Sequence, residues 1–337
     1  MVQIIPGTEA WHNQVVEEII DSERVIVDPH HHLWKRPTGD TYVLEDLWKD
    51  TGSGHRIIQT VFIECRANYR EDGPEHLQVL GETEFVKNIA EESAKGNSDQ
   101  ARISGIVAKA DLTRGDTLEE VLDAHKSVAE TLFKGIRHAG ASDEDPAALS
   151  IPGRSEKGLY SRKDFQEGMK VLGRKGLTYD TWHYHHQNRD FLALAQAVPD
   201  TVMILDHFGT PLGVGRYAGK REEIFIQWKK DIAEIAKCEN VIAKLGGLAM
   251  PDNGFGWDRR HMPPTSDEFV YAQKRYYLHT LECFGPERCM FESNFPVDKR
   301  SLSYAVLWNG LKKIVANYSE DEKTALFSGT ATRIYRL

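Results

Sequence analysis

Eight short runs rich in Val and Ile, each followed by a longer polar or amphipathic stretch, constrain the fold of this chain more than any other feature. The predicted strands are Arg24–Asp28, Ile57–Glu64, Arg102–Ala110, Phe133–His138, Leu177–Trp182, Thr201–Asp206, Asn240–Leu245 and Arg288–Phe291. Apolar runs of this length are typical of strands buried on both faces of a parallel sheet. The alternation therefore predicts an α/β protein in which helices join parallel strands.

Apolar residues recur at helical spacing in most of the intervening stretches. The predicted helices are Glu75–Lys95, Thr117–Thr131, Asp190–Ala197, Glu222–Cys238, Phe269–Phe284, Ser301–Val315 and Ser319–Phe327. Asp190 and Ser319 are expected to cap the helices that they begin, because their side-chain oxygens can accept a hydrogen bond from a free backbone amide.

The long irregular segments distinguish a closed barrel from an open doubly wound sheet. Cys65–Pro74, Ala139–Gly158 and Gly246–Ser266 all follow predicted strands rather than helices. In a (β/α)8 TIM barrel such loops gather at the C-terminal mouth, and we expect the second and third to cover it and set specificity. Neither a GxGxxG after the first strand nor a GxxxxGK[ST] occurs, which removes the main support for nucleotide binding.

Composition narrows the class of protein further. The 337 residues carry a net charge of −9, which argues against a nucleic-acid partner and leaves a small-molecule substrate. No apolar run approaches 18 residues, and the N-terminus lacks a signal-peptide pattern. Four cysteines without CxxC spacing favour reduced thiols and a cytoplasmic location. Residues 1–23 are expected to pack as an extension on a barrel domain of residues 24–337, and a homo-oligomer is the usual state of such enzymes.

Histidines cluster at three predicted strand ends. Strand alternation places His30 and His32 on one side of the first strand and His31 on the other. Two imidazoles on one side can share a metal ion or a substrate oxygen, although a buried and hydrogen-bonded histidine explains each one separately. Strand five ends in a cluster that includes His183 and His185, and strand six ends in His207. A barrel would bring all three groups to one mouth.

Other strand ends are also polar. Glu64 and Arg66 follow strand two, Arg137 ends strand four, and Glu292 and Asn294 follow strand eight. Charged groups near a barrel mouth are costly to bury without a role. Lys244 of strand seven is instead expected to be an exposed loop charge.

Six sequence motifs resemble those of the amidohydrolase superfamily and occur in order along the chain. They are DPHHHLW, FKGIRH, YHHQ, LDHFGTPLG, VIAKLGGLAM and FESNFPVD. The resemblance runs from about Arg24 to the C-terminus and is closest to the amidohydrolase-related (amidohydrolase-2) branch that contains sugar-lactone and pyrone-dicarboxylate lactonases. It implies a (β/α)8 barrel of the metal-dependent-hydrolase type, with the site at the C-terminal mouth.

The resemblance also implies roles for individual residues. His30, His32 and His185 match the family's metal ligands, with His183 as the alternative on strand five, and His207 matches its strand-six histidine. Asn294 stands where metal-dependent members have an aspartate, and asparagine cannot act as a base near neutral pH. Either Glu292 or Glu64 then supplies the carboxylate. Both a zinc or manganese enzyme and a metal-free one remain open.

The resulting functional hypothesis is a hydrolase that opens a small sugar lactone or carboxylated lactone with activated water. His207 is expected to stabilise the oxyanion, and Arg137 and Arg66 to hold a substrate carboxylate. Trp34 and Trp257 are expected to contact the substrate as well. Two alternatives remain: a metal-dependent non-oxidative decarboxylase of the same branch, and a catalytically weak barrel that binds a metabolite.

Overall fold

Eight parallel strands follow one another in chain order around a nearly closed barrel, as the alternation of apolar runs predicts. The computed structural model describes residues 5–337. All eight predicted strands form, with bounds that differ by a few residues. They are β1 (Val25–His31), β2 (Arg56–Ile63), β3 (Arg102–Ala108), β4 (Phe133–Arg137), β5 (Thr178–Thr181), β6 (Met203–Leu205), β7 (Val241–Leu245) and β8 (Cys289–Phe291).

The chain beyond β8 returns to the end of β1 and brings the two sides of the barrel together. His31 forms a parallel bridge with Phe295. The backbone amide of Asn294 donates to the carbonyl of His30 over 3.0 Å, and the amide of His32 donates to Phe295 over 2.8 Å. The segment after strand eight therefore lies directly beside the histidines after strand one.

Helices cover the outside of the barrel and close the end at which the strands begin. They are α1 (Glu9–His12), α2 (Leu44–Thr51), α3 (Leu80–Ser93), α4 (Gly115–Ala129), α5 (Lys163–Arg174), α6 (Asn188–Ala197), α7 (Arg221–Ile235), α8 (Ser266–Phe284), α9 (Tyr304–Ile314), α10 (Glu320–Thr324) and α11 (Thr330–Tyr335). No helix within residues 5–337 is both long enough and apolar enough to cross a bilayer.

Sequence patterns missed four helices, α1, α2, α5 and α11, and misplaced one cap. Helix α5 was not predicted because its apolar face consists of Phe165, Met169 and Leu172 in an otherwise polar segment. Asp190 lies in the first turn of α6 and does not cap it, since the helix begins at Asn188. The expected cap of α10 is confirmed, because the side chain of Ser319 accepts from the amide of Glu322.

Apolar side chains fill the half of the barrel interior that is remote from the C-terminal mouth. Side chains from six strands and α11 fill this half: Val27, Val61, Ile63, Val107, Ile204, Ile242, Met290, Ala331 and Tyr335. Burial of this layer favours the closed barrel, because each inward residue contacts inward residues of other strands. The interior is therefore open to ligands at the C-terminal ends of the strands.

The segment before β1 packs across two of the loops at that open end. Trp11 is fully buried and its Nε1 donates to the carbonyl of Arg260 over 2.9 Å. His12 Nε2 lies 2.8 Å from the carbonyl of Lys299, and Gln14 donates to the carbonyl of His261. These contacts fix the segments that follow strands seven and eight.

Candidate active site

A cavity of about 900 Å³ opens at the C-terminal mouth of the barrel. His32, Glu64, Arg137, His207 and Asn294 line its inner part, and all five follow or end barrel strands. The mouth of a (β/α)8 barrel is the usual position of a catalytic site, because loops from every strand converge there.

The three histidines at the end of β1 point to two sides, as strand alternation predicts. His30 and His32 lie on the inner side with ring centroids 5.0 Å apart. His31 is on the outer side, where its Nε2 lies 3.0 Å from Thr60 Oγ1 and its ring packs edge-on against Phe62. His31 is therefore a structural residue of the barrel wall.

His30, His207 and Glu292 form the centre of the site. Glu292 Oε1 lies 2.7 Å from His207 Nδ1, and Glu292 Oε2 lies 2.7 Å from His30 Nδ1. One potential ligand atom from each residue lies within 4.8 Å of the others, the one such His/Cys/Asp/Glu group found among residues 5–337. His32 belongs to the cavity wall instead, and its Nδ1 lies 2.8 Å from the carbonyl of Ile63.

Two adjacent glycines after β7 make room for this arrangement. A Cβ on Gly247 would lie 2.2 Å from His207 Nδ1, and one on Gly246 would lie 2.3 Å from Glu292 Cγ. His207 itself adopts a left-handed backbone conformation with φ of 54°. Non-glycine residues adopt this conformation at a cost, and such residues concentrate at functional sites. The glycine pair and the turn at His207 together bring the imidazole against Glu292.

Burial controls the charge of this group. It raises the pKa of Glu292 to about 8 and lowers the pKa of His207 to about 3. Burial also lowers the pKa of His30, with the Lys244 cation acting in the same direction. Both imidazoles are therefore neutral. A pKa of about 8 leaves Glu292 mainly protonated at neutral pH; in its ionised form, which prevails at higher pH, it can accept from the Nδ1–H of His207 while His207 Nε2 keeps a lone pair.

A buried ionic network lies beneath the three residues. Lys244 Nζ lies 2.7 Å from Asp180, 3.4 Å from Asp206 and 3.4 Å from His30 Nδ1, and the Tyr335 hydroxyl donates to Asp180. Lys244 is fully buried, so its expected exposure was wrong. Its partners Asp180 and Asp206 come from β5 and from the end of β6. In the sequence they are the single aspartates in the otherwise mainly apolar runs LTYDTW and VMILD, and this pattern could have indicated a buried ionic partner.

Glu64 and Arg137 are paired with each other. Arg137 Nε donates to Glu64 Oε1 over 3.0 Å, a second guanidinium nitrogen donates to the Glu64 carbonyl, and a third lies 3.4 Å from His30 Nε2. Arg137 is thus held by protein groups, in contrast with its predicted contact to a substrate carboxylate. Glu64 balances this guanidinium and lies apart from the group of three.

The strand-five histidines do not join the central group. Both ring nitrogens of His183 have protein partners, Thr181 Oγ1 at 3.3 Å and Asn188 Oδ1 at 2.9 Å. His185 Nδ1 accepts from the amide of Leu212 over 3.2 Å. The chain enters a short 3-10 turn at His185, which directs that ring toward the loop after β6. The predicted ligand role of His185, with His183 as the alternative, finds no support in this geometry.

Some of the residues predicted to contact the substrate line the cavity, and others do not. Trp34 and the exposed Arg66 line the cavity, together with residues 150–152 and 154 of the loop after β4. Trp257 is buried and stacks on Phe255 with ring centroids 5.1 Å apart. Its expected substrate contact is therefore corrected to a packing role, because the loop after β7 folds back onto α8.

Asn294 lines the cavity but is oriented by a buried carboxylate. Its Nδ2 donates to Asp298 Oδ1 over 2.9 Å, while Asp298 Oδ2 accepts from the amide of Ala249. Burial holds the pKa of Asp298 well above its usual range. The amide orientation leaves Asn294 Oδ1 as the atom that can serve the cavity.

The donor set fits a divalent cation. Two imidazoles and a carboxylate are the ligands of many catalytic zinc sites, with a further position left for water. Glu292 Oε2 lies 2.7 Å from His30 Nδ1 but forms no well-aligned hydrogen bond among residues 5–337. A buried carboxylate oxygen without a hydrogen bond is unfavourable, and a cation held by His30, His207 and Glu292 would satisfy it.

Comparison with known proteins agrees with this architecture. The profile of the amidohydrolase family matches residues 27–337. An uncharacterized protein, y4mH, from Sinorhizobium fredii is 30% identical over 94% of this chain and 100% of its own length. The L-fucono-1,5-lactonase of Burkholderia multivorans is 24% identical over 92% of this chain and 96% of its own. A crystal structure of a B. multivorans amidohydrolase with bound zinc superposes with a TM-score of 0.69 at 22% identity, covering 93% and 100% of the two chains.

The fold and the site thus define a hydrolase barrel of a known class. The chain belongs to the amidohydrolase family, since the family match covers nearly all of it. The resemblance to the lactonase-like amidohydrolase-2 branch, inferred from six motifs, is confirmed.

Replacing Asn294 by aspartate tests the effect of having asparagine where metal-dependent family members have an aspartate. We expect Asn294→Asp to lower the free energy of unfolding by about 1–3 kcal/mol, because a donor to buried Asp298 becomes a second acceptor. Zinc should restore part of the melting temperature, since the new carboxylate adds a ligand beside His30. Melting curves with and without zinc measure both effects.

Asn240→Asp is the matched control for that experiment. Asn240 Nδ2 donates to the carbonyls of Ala195, Val198 and Thr201 at the opposite end of the barrel. This variant should also melt early but gain nothing from zinc. Equal rescue of both variants would contradict a cation site next to Asn294.

Proposed function

We propose that this protein hydrolyses a small lactone at the mouth of the barrel. The observation that carries the proposal is the hydrogen-bonded pair of Glu292 and His207, with His207 facing a cavity of about 900 Å³. A buried carboxylate that accepts from one nitrogen of a neutral imidazole makes the other nitrogen a proton acceptor, as in hydrolytic dyads and triads. The similarity to an L-fucono-1,5-lactonase supports the same reaction class.

The proposed reaction begins with a water molecule next to His207 Nε2. The imidazole takes a proton from the water as its oxygen attacks the lactone carbonyl carbon, and Glu292 stabilises the resulting imidazolium. The ring carbon–oxygen bond then breaks, and the imidazolium returns the proton to the departing oxygen. The product is a hydroxy acid, and atoms and charge balance over the two steps.

His32 and Asn294 line the same part of the cavity and have separate tasks in this scheme. His32 Nδ1 is engaged by the Ile63 carbonyl, which leaves Nε2 for the substrate. Asn294 Oδ1 can accept from the attacking water or a substrate hydroxyl, with its amide fixed by Asp298. Both groups orient reactants, and orientation alone accounts for a large part of enzymatic acceleration.

A divalent metal ion, for which we propose zinc, would be held by His30, His207 and Glu292. When bound, such an ion supplies Lewis acidity that lowers the pKa of water or polarises the lactone carbonyl. A cation on this group would replace the hydrogen bond between His207 and Glu292, so the two arrangements are alternative states of the same three residues. The zinc-bound B. multivorans amidohydrolase supports the metal form.

A panel of aldonolactones and carboxylated lactones tests the reaction class. We expect ring opening, followed by proton release, in the purified protein, and loss of activity after chelation if the metal form is the active one. Product analysis separates the alternatives. Carbon dioxide from hydroxybenzoates without lactone opening would replace the proposal by a decarboxylase, and tight binding without turnover would indicate a metabolite-binding barrel.

A further inference from the structure

We propose that Arg66, Arg154 and Arg300 form a carboxylate-binding subsite at the rim of the cavity, so that the substrate is an acidic lactone. This inference rests on the proposed lactone hydrolysis and specifies its substrate class. The three residues follow β2, β4 and β8, whereas His207 follows β6. Because β2 lies across the barrel from β6, and neither β4 nor β8 is next to β6, the carboxylate would be the end of the substrate remote from the reacting carbonyl.

The cavity is cationic although the chain is acidic. Six Lys and Arg side chains and three Asp and Glu side chains line it, in a protein whose net charge is −9. Three of the cations have protein partners, in the pairs Arg36–Asp40 at 3.5 Å, Arg137–Glu64 at 3.0 Å and Lys299–Asp50 at 2.7 Å. Arg66, Arg154 and Arg300 have no carboxylate within 4.0 Å in the described part of the chain and are exposed to the cavity.

Arg66 stands on a backbone that a buried carboxylate fixes. Glu82 Oε1 accepts from the amide of Cys65 over 3.0 Å and from the amide of Ala67 over 2.7 Å. Between these two anchors Arg66 adopts a left-handed conformation with φ of 61°. A conformation that costs free energy persists where the surroundings impose it, and here a fully buried glutamate imposes it on an arginine at the cavity.

Arg154 is held in a comparable way by a different loop. The carboxylate of buried Asp252 accepts from the amides of Ser150 and Ile151 over 2.6 and 2.9 Å. The amide of Gly153 donates to the Tyr184 hydroxyl over 2.7 Å. These bonds order the backbone immediately before Arg154.

The N-terminal segment fixes the backbone at Arg300. His12 Nε2 contacts the carbonyl of Lys299 over 2.8 Å. Gly7 packs so closely that a Cβ there would lie 3.2 Å from Arg300 Cα. Three arginines on three anchored loops therefore share one cavity, and anchoring lowers the entropic cost of holding a ligand.

Guanidinium groups match the planar geometry of a carboxylate and bind it through paired hydrogen bonds. A neutral sugar lactone offers hydroxyl groups, for which unpaired cations at the rim have no advantage. The distribution of charge thus favours a lactone that carries at least one carboxylate beyond its ring.

Calorimetric binding of glucarate and gluconate tests the subsite without requiring turnover. The two ions differ by one terminal carboxylate, and we expect the protein to bind glucarate at least tenfold more tightly. Arg66→Gln, Arg154→Gln and Arg300→Gln should each weaken glucarate binding about three- to tenfold, the range for exposed charge-assisted hydrogen bonds. Gluconate binding should change less than twofold. Arg174→Gln, an exposed arginine at the far end of α5, is the matched control.

Kinetics with the corresponding lactones separate this inference from the proposed function. Opening of glucaro- and gluconolactone at equal kcat/KM, with no change in the triple arginine variant, would overturn the subsite and leave the lactonase intact. Glucarate selectivity that disappears in the variants, without turnover of either lactone, would overturn the lactonase and retain the subsite. Equal affinity for glucarate and gluconate also overturns the subsite.

Discussion

Glu292→Gln is expected to lower kcat by about 10²–10⁴, the usual contribution of a positioned proton acceptor and its partner. Glutamine preserves the size of the side chain but removes the carboxyl group that can ionise next to His207 Nδ1. The imidazolium formed during water attack then loses its stabilising partner, and the neutral ring loses the bond that selects its tautomer. Zinc affinity should fall together with kcat, because the same carboxylate belongs to the His30, His207 and Glu292 group.

Two further glutamate variants give this experiment its contrast. Glu64→Gln weakens the ion pair with Arg137 and should reduce activity less, because Glu64 does not contact His207 in this arrangement. Glu167→Gln, on the exposed side of α5, should leave activity unchanged. Initial rates of lactone opening measure all three. Full activity in Glu292→Gln would exclude this carboxylate from the reaction.

Lys244→Met is expected to destabilise the protein by about 3–5 kcal/mol, the cost of removing one partner from a buried ion pair. Lys244 and Asp180 are both fully buried and 2.7 Å apart. Without the ammonium group, the carboxylates of Asp180 and Asp206 would remain inside the barrel with no cation from β7. The midpoint of urea unfolding, monitored by fluorescence and circular dichroism together, measures the loss.

A double variant and a surface control show whether the loss of stability in Lys244→Met is caused by the uncompensated charge. Lys244→Met combined with Asp180→Asn should recover part of the lost stability, because the uncompensated charge is removed as well. Lys313→Met breaks an exposed pair with Asp267 and should cost less than about 1 kcal/mol. Equal losses in the two single variants would mean that packing, not charge, explains the effect at Lys244.

Local sequence was sufficient to predict the barrel and the position of its site. The eight Val- and Ile-rich runs specify parallel strands because both faces of each strand are buried, and burial leaves a local pattern. Alternation also assigned the neighbouring His30 and His31 to opposite sides. An irregularity in β1 between Asp28 and His31 decides that His30 is the one on the inner side, which Val27 also faces. Polar residues at strand ends identified the mouth, and they include Glu292 and His207.

Local patterns could not predict which polar side chains pair with each other across the barrel. Glu292 and His207 are 85 positions apart, Arg137 and Glu64 are 73 apart, and Lys244 and Asp180 are 64 apart. Each of these side chains has several oppositely charged or polar groups available around the mouth. Barrel closure and register determine which of them meet, and neither quantity is contained in a local pattern.

The sequence by itself determined the strand order, the separation of His30 from His31, and the family that its motifs identify. Tertiary structure decided that His207 faces Glu292, that His185 turns toward Leu212, and that Lys244 is buried against Asp180. The physical reason is the range of the interactions. Secondary structure and face alternation follow from neighbours along the chain, whereas the charge and hydrogen bonds of a buried group depend on residues brought to it by the closed barrel.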